Sequence, residues 1–537
     1  MKTRYGINTL RLLVAAALVT VAGACTGNFE EYNHNPNETT DSELERDNYN
    51  VGAKLLQLQN EVIPSQEHLY QFTEILAGMA YGGYSEAIPT WTGKFSTFNP
   101  TADWLKAPFV TLMTDTYAPY RGILAATEDE VPLALASLLR VAIMHRLTDQ
   151  YGPIPYSKVV EDRKNSLAVA YDTQEEVYAT MFAELDAAVS VLNENRTLST
   201  EAFGEYDLVY GGDLTKWILF ANSLKLRMAM RLTEVDAAMA RTKAAEALAA
   251  GVITTNADNA MFKPTVNRTA ICFSEWKQHP ISADLDSYMN GYADPRRGKM
   301  FTSVKITETT LNPETQEPVT VTKDGYRGQR IGTTPEDKDA ATTQLSHPDI
   351  VDSDPIIWLT AAEVAFLKAE WELRWGSVAE AGNLYRQGVA LSFEQWGAGS
   401  ADEYLATEAR PADFVDPLGT GYDFSAQSTI TPVWNDADDA ATALERIITQ
   451  KWIAIFPLGN EAWSEYRRTG YPHLMPVPDA GNMSGGTVTS RWGARRLQYP
   501  TEEYNENRAN VTAAVAGELK GTDTFGSRVW WDKRTLN

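Results

Sequence analysis

The sequence predicts a mainly α-helical fold: a single large domain of tetratricopeptide-like helix pairs with irregular loop insertions. Three observations carry this expectation. Ile356 to Gly397 reads as two helices back to back with almost no loop between them. Several other stretches place apolar residues at the spacing of one helix face. Between them lie runs rich in Gly, Pro, Ser and Thr that follow neither the helical nor the strand period.

The 537 residues open on Lys2, Arg4 and Arg11, with no acid, before an apolar run from Leu12 to Ala24. That run is shorter than the roughly 20 residues a bilayer span needs, and residues 1–24 have the pattern of a secretory signal peptide. Small residues lead directly into Cys25, which resembles a bacterial lipidation site, although Ala22 stands where Leu is usual. Acyl chains on Cys25 would supply the membrane attachment and leave Cys272 a lone thiol, buried beside Ile271 and Phe273. Residues 25–41 are polar and aperiodic and read as the lipidated tether; the helical domain occupies 42–537. No segment after the leader reads as long and apolar enough to cross a membrane.

Asn48 to Val62 and Glu67 to Met79 read as two helices around Pro64. Tyr81 to Pro100 loses all period yet carries Tyr81, Tyr84, Trp91, Phe95 and Phe98. Loops lie on the surface, so these rings are either a stacking platform, since pyranose C–H faces lie well on aromatic rings, or anchors that pin the loop to the core. Pro132 suits a first helical turn. Leu135, Leu138, Leu139, Ala142 and Ile143 face one way until the prolines of Tyr151 to Tyr156 end the helix. Asp172 with Glu175 reads as an N-cap for the stripe Tyr178, Met181, Phe182, Leu185, Ala188 and Leu192. Asp213 opens the next helix, with Trp217, Ala221, Leu224 and Met228 inward, and Val235 to Ala250 pairs with it.

Residues from about 256 to 354 read as an irregular insertion. It has a strand-like run at Pro318 to Thr322 and a turn at Asp324-Gly325, and it carries Trp276, Tyr288, Tyr292 and Tyr326. In the pair that follows, Thr360 and Glu363 form a capping box, and Gly376 stops the first helix at positive φ. Ser377 with Glu380 is a second capping box. Ala362, Ala365, Phe366 and Ala369 on one helix and Ala381, Leu384, Tyr385 and Gly388 on the other let the backbones approach closely. This is the unit of a helical repeat array. A loop-rich stretch with Trp434 precedes a helix at Leu444 to Phe456 and a shorter one holding Trp463 and Tyr466.

The net charge of −24 argues against nucleic acid, whose binding needs basic neutralisation of phosphate. The six His residues are scattered, and no H-E-x-x-H, G-x-S-x-G, P-loop or dinucleotide motif occurs. The sequence therefore signals no catalytic residue, metal centre or cofactor. Nothing singles out the carboxylate pair a glycoside hydrolase requires. Asp352 with Asp354, and Asp436 with Asp438 and Asp439, have the oxygen chemistry for a structural Ca²⁺; they read equally well as solvated turns.

Five runs together resemble the SusD/RagB outer-membrane lipoproteins of Bacteroidetes. They are Phe29 to Asn37, Thr148 to Ser157, Trp217 to Arg231, Trp358 to Glu370 and Gln450 to Pro472. They spread over nearly the whole mature chain. Pro153 departs from the family pattern, which commonly has Asp there. The resemblance implies one α-rich domain whose loop excursions carry the ligand surface. It also implies a lipid-anchored protein at the cell outer membrane that captures oligosaccharide and passes it, without chemistry, to a SusC-like TonB-dependent transporter. Peptide cargo in the same role, a surface glycoside hydrolase and a pure assembly scaffold remain as alternatives. Contact residues vary too much between members to be carried over. The candidate ligand-binding residues Tyr84, Trp91, Phe95, Trp276, Tyr292 and Tyr326 therefore rest on loop placement and ring chemistry.

Overall fold

Capping side chains and apolar stripes set most helices where their spacing places them. The computed structural model describes residues 49–161, 168–197 and 204–536; the signal peptide, Cys25 and the tether lie outside the described residues. By contacts the chain divides into Met1–Asn50 and Val51–Asn537, and the second unit carries the fold.

Helix α1 spans Tyr49–Val62, and α2 spans Glu67–Tyr70 and continues as a π-helical run, Gln71–Met79. After α3 (Leu112–Ala126) come three helix pairs. They are α4 (Glu130–Tyr151) with α5 (Gln174–Glu194), α6 (Leu214–Arg231) with α7 (Ala237–Ala250), and α8 (Ala361–Trp375) with α9 (Val378–Trp396). α10 (Ala440–Ala454) and α11 (Gly459–Thr469) complete the body. Consecutive pairs stack through α5 on α6, α6 on α8 and α8 on α10, the expected tetratricopeptide-like array. Close approach is built in: a Cβ on Gly388 of α9 would stand 2.8 Å from the Phe366 ring of α8. Trp217, Trp358 and Trp452 are core residues.

Strands are few. β1 (Ala260–Phe262) pairs antiparallel with β4 (Ile356–Leu359), so the apolar run opening the α8–α9 pair is a strand rather than helix. β2 (Val304–Leu311) and β3 (Pro318–Gly325) form a solvent-exposed antiparallel hairpin within the insertion.

Several local expectations are corrected. The cap of α5 is Thr173 with Glu176, a full capping box, one residue beyond the expected pair. Asp172 instead accepts hydrogen bonds from the Tyr156 and Ser157 backbone N–H groups and holds the preceding turn. Thr360 caps α8, but the Glu363 carboxylate turns inward to Arg227, which donates through Nε at 2.7 Å and Nη2 at 2.6 Å. A charged guanidinium with two donors competes more strongly for that carboxylate than one neutral backbone N–H does. At the next cap, Ser377 Oγ accepts from the Glu380 N–H, while the Ser377 N–H donates to Glu372. Gly376 closes α8 at φ −124° and not at positive φ. α4 is long and apolar enough by composition to cross a membrane, contrary to expectation. Its apolar residues are consumed by the core, where Leu135, Leu138, Val141, Ile143 and Leu147 are all buried.

The interior also holds charge. Arg231 of α6 meets Asp149 of α4 at 3.1 Å and both Glu461 and Glu465 of α11. Lys451 of α10 lies 3.3 Å from Glu461 and 3.2 Å from Glu465, and Arg468 pairs with Glu370 of α8 at 2.6 Å. Each charge faces an opposite one, the condition under which buried ions are tolerated.

Candidate functional site

The expected loop rings separate into two groups. Tyr84 and Phe95 have no exposed surface and Tyr292 only 3%, so none of the three offers a face to a ligand. The Tyr84 hydroxyl donates to the Trp452 carbonyl and its ring stacks on Trp452 at 5.3 Å. Phe95 lies edge-on to Tyr81 at 6.4 Å. The Tyr292 hydroxyl donates to the Ile430 carbonyl at 3.0 Å. These rings are anchors because the Tyr81–Pro100 loop folds inward. Lys94 is buried with it, donating to the Ala87 carbonyl at 2.8 Å and the Thr334 hydroxyl at 2.9 Å.

Trp91 and Trp276 stay half-buried, and the structure brings them into one arc of rings. Trp276 stacks on the exposed His68 at 5.2 Å with planes 26° apart. His68 and Phe72 follow one another at i, i+4 on the segment beginning with α2, hence on one side of it. Phe72 lies 5.6 Å from Trp104, and Trp104 meets Trp91 edge-on at 5.1 Å. Phe72 and Trp104 are also half-buried. Tyr326, half-buried, stands apart: it sits under the Arg297 guanidinium at 5.4 Å and makes no ring contact with the arc among the described residues.

His68, Phe72 and Trp104 were missed by sequence reasoning. Their signal was weak: two rings at i, i+4 on the polar side of an otherwise apolar helix, and one in a short helix, Ala102–Lys106.

The indole N–H groups of Trp91, Trp104 and Trp276 have no hydrogen-bond partner among the described residues, nor are they buried orphans. They remain free donors beside open ring faces. Beneath the arc, Gln71 Nε2 and His279 Nε2 are 2.9 Å apart. Burial, with lesser effects of His347 and Lys94, pushes His279 down to about 3 and keeps it neutral. Nearby charge is balanced: Arg268 pairs with Glu67 at 2.9 Å, and exposed Glu275 and Lys277 flank Trp276. Stacking faces, free donors and no net charge suit a neutral, polyhydroxylated ligand.

Burial raises several carboxyls, Glu61 and Glu518 to about 7 among them; Asp284, raised to about 7, and Asp286, raised to about 6, each accept a backbone N–H, from Met475 and Gly328. Burial likewise raises the Cys272 thiol to about 12. The loop acids weighed for Ca²⁺ have partners: Asp438 pairs with Arg446 at 2.7 Å, Asp439 caps α10, and Asp436 accepts from the Trp434 indole at 2.8 Å. Asp354 accepts from the Val351 N–H at 2.9 Å. Among the described residues no group of three or more metal-ligating side chains occurs.

Comparison with known proteins agrees with this architecture. Residues 31–532 match the family model described as SusD and RagB outer membrane lipoprotein. A SusD homologue from Bacteroides thetaiotaomicron is 46% identical, with a TM-score of 0.84 over 91% of this chain and 100% of that one. A SusD homologue from Bacteroides uniformis is 40% identical, with a TM-score of 0.81 over 90% and 100%. A chitin-binding SusD homologue from Flavobacterium johnsoniae is 34% identical, with a TM-score of 0.80 over 90% and 98%. No curated protein matches the chain.

Proposed function

We propose a role from one established premise: this chain belongs to the SusD-like family of outer-membrane lipoproteins. On that premise it is a surface-exposed nutrient-binding protein that captures an oligosaccharide on the ring arc. It passes this cargo to a SusC-like TonB-dependent transporter and performs no catalysis. The observation that carries the reading is the arc itself, in which Trp91, Trp104 and Trp276 present partly open indoles with free N–H groups around His68 and Phe72. A sugar ring stacks its C–H face on such a surface, and its hydroxyls take up the free donors. Several modest contacts give reversible capture. Lipid anchoring through Cys25 and docking on the transporter would raise the effective ligand concentration at the pore.

The chitin-binding relative makes chito-oligosaccharides the first ligands to try. The test is calorimetric titration of residues 26–537 with a panel of oligosaccharides and peptides, alongside Trp91→Ala and Trp276→Ala. The expected result is binding of one oligosaccharide class without cleavage, weakened about tenfold by either substitution. Binding of peptides alone would replace the cargo. Appearance of shortened sugars would replace the function.

A further inference from the structure

On the opposite side of the α2 segment lies a cleft of about 400 Å³, whose walls include Tyr70 and Glu74, while His68 and Phe72 of the same segment face the arc. Its size falls within the about 300–1,000 Å³ of small-ligand sites. Several separate parts of the fold meet there, among them the α1–α2 corner, the β1–β4 sheet, the Asp349–Pro355 segment, the C-terminal end of α9 at Trp396, Lys299, and the α10–α11 junction at Leu458. Branched aliphatics, among them Ile63, Ile350, Val351, Ile357 and Leu458, make an apolar part of the wall. Val351 is 46% exposed, and Ile350 and Ile357 are half-buried. Covering such surface is favourable.

Charges of both signs stand in the same lining. Lys299 and Asp349 are exposed, and neither has a side-chain ion pair or hydrogen bond among the described residues. Asn267, by contrast, is committed, accepting from Thr269 and donating to the Asp354 carbonyl at 3.0 Å.

This lining discriminates between ligand classes. A neutral sugar could use the polar side chains of the lining, but it brings no opposite charge for either Lys299 or Asp349. A fatty acid can set its carboxylate on Lys299, but it brings no cation for Asp349. A short peptide satisfies both features, with aliphatic side chains on the walls, its carboxylate on Lys299 and its ammonium on Asp349. We propose that this cleft is a second ligand site, separate from the arc, that binds short zwitterionic peptides with aliphatic side chains. The proposal stands independently of the glycan reading.

The test is titration of the full chain, held in lipid nanodiscs, with trileucine, triglycine and hexanoate, followed by calorimetry. Trileucine is expected to bind at least about tenfold more tightly than either control. Ile357→Asp, which puts an unpaired charge on the apolar wall, should abolish that binding. Lys299→Glu, on the surface and outside any ion pair, should weaken it at least about fivefold with the fold intact. Trp276→Ala should leave it unchanged. The proposal is overturned if trileucine shows no binding at about 10 mM, if hexanoate binds equally well, if Lys299→Glu has no effect, or if Trp276→Ala removes the binding.

Discussion

The tryptophans of the helical array and those of the arc are the same side chain put to opposite use. In the array, Trp217 is fully buried and its N–H donates to Asp207 at 2.8 Å, and Trp452 donates to the Gly82 carbonyl at 2.7 Å; the buried Trp531 of the C-terminal tail donates to Asp149 of α4 at 2.8 Å. In the arc, Trp91, Trp104 and Trp276 keep part of each ring in water and leave the N–H free. A buried indole without an acceptor carries the full desolvation cost of its donor; an exposed one carries none and stays available. Exposure separates the two kinds of ring more sharply than the bonding of the N–H: Trp358 is buried in the core and its N–H has no partner among the described residues. Ionic groups divide the same way. Arg231 is locked among three carboxylates, whereas Lys299 and Asp349 of the second cleft are unclaimed among the described residues.

The hardest test of this contrast removes a charge from the array. Arg231→Met leaves Asp149, Glu461 and Glu465 facing each other without their shared cation, and should cost about 3–5 kcal/mol in denaturant unfolding. A loss under about 1 kcal/mol would show that the network contributes little to stability.

Acid should act on the same region. Burial pushes Glu461 up, but Arg231, Lys451 and Arg227 outweigh it and bring the carboxyl down to about 2. Its unfolded form takes up a proton near the ordinary carboxylate range, so its stabilisation is present above pH about 4.5 and is lost as pH falls toward 2. Burial, with help from Arg227 and Arg146, likewise pushes His145 down to about 3. Below pH about 6.5 the unfolded chain binds a proton there that the folded chain excludes, again lowering stability as pH falls. Asp284 and Asp286, raised to about 7 and about 6, act the other way between pH 7 and about 4.5, so the expected outcome is a melting temperature that drops as pH falls from about 4.5 toward 2, and a flat profile over that window would contradict it.

The smallest stability effect belongs to the arc. Trp276→Ala removes a surface ring stacked on His68 and should change unfolding free energy by less than about 1 kcal/mol, while lowering oligosaccharide affinity. A large loss of stability would make Trp276 another anchor.

Much of the fold was legible. Apolar stripes and caps located the helices of the three pairs, and Trp217, expected inward from the stripe of its helix, is core. The misread details share one cause. Glu363 was expected to cap α8 but meets Arg227, more than a hundred residues away in sequence, and local spacing carries no information about such a partner. The site was half legible. Trp91 and Trp276 stood out as large rings in aperiodic stretches, but Tyr84, Phe95 and Tyr292 carried the same signal and became core.

By itself the sequence determined the repeating helix pairs, the acidic charge and the resemblance that led to the family, because periodicity, composition and motif runs are local properties of the chain. Tertiary structure alone decided which loop rings face water and that His68, Phe72 and Trp104 join Trp91 and Trp276. It also brought several distant segments around the second cleft. Exposure and convergence depend on what packs against a residue, and that is set by contacts between segments far apart in sequence.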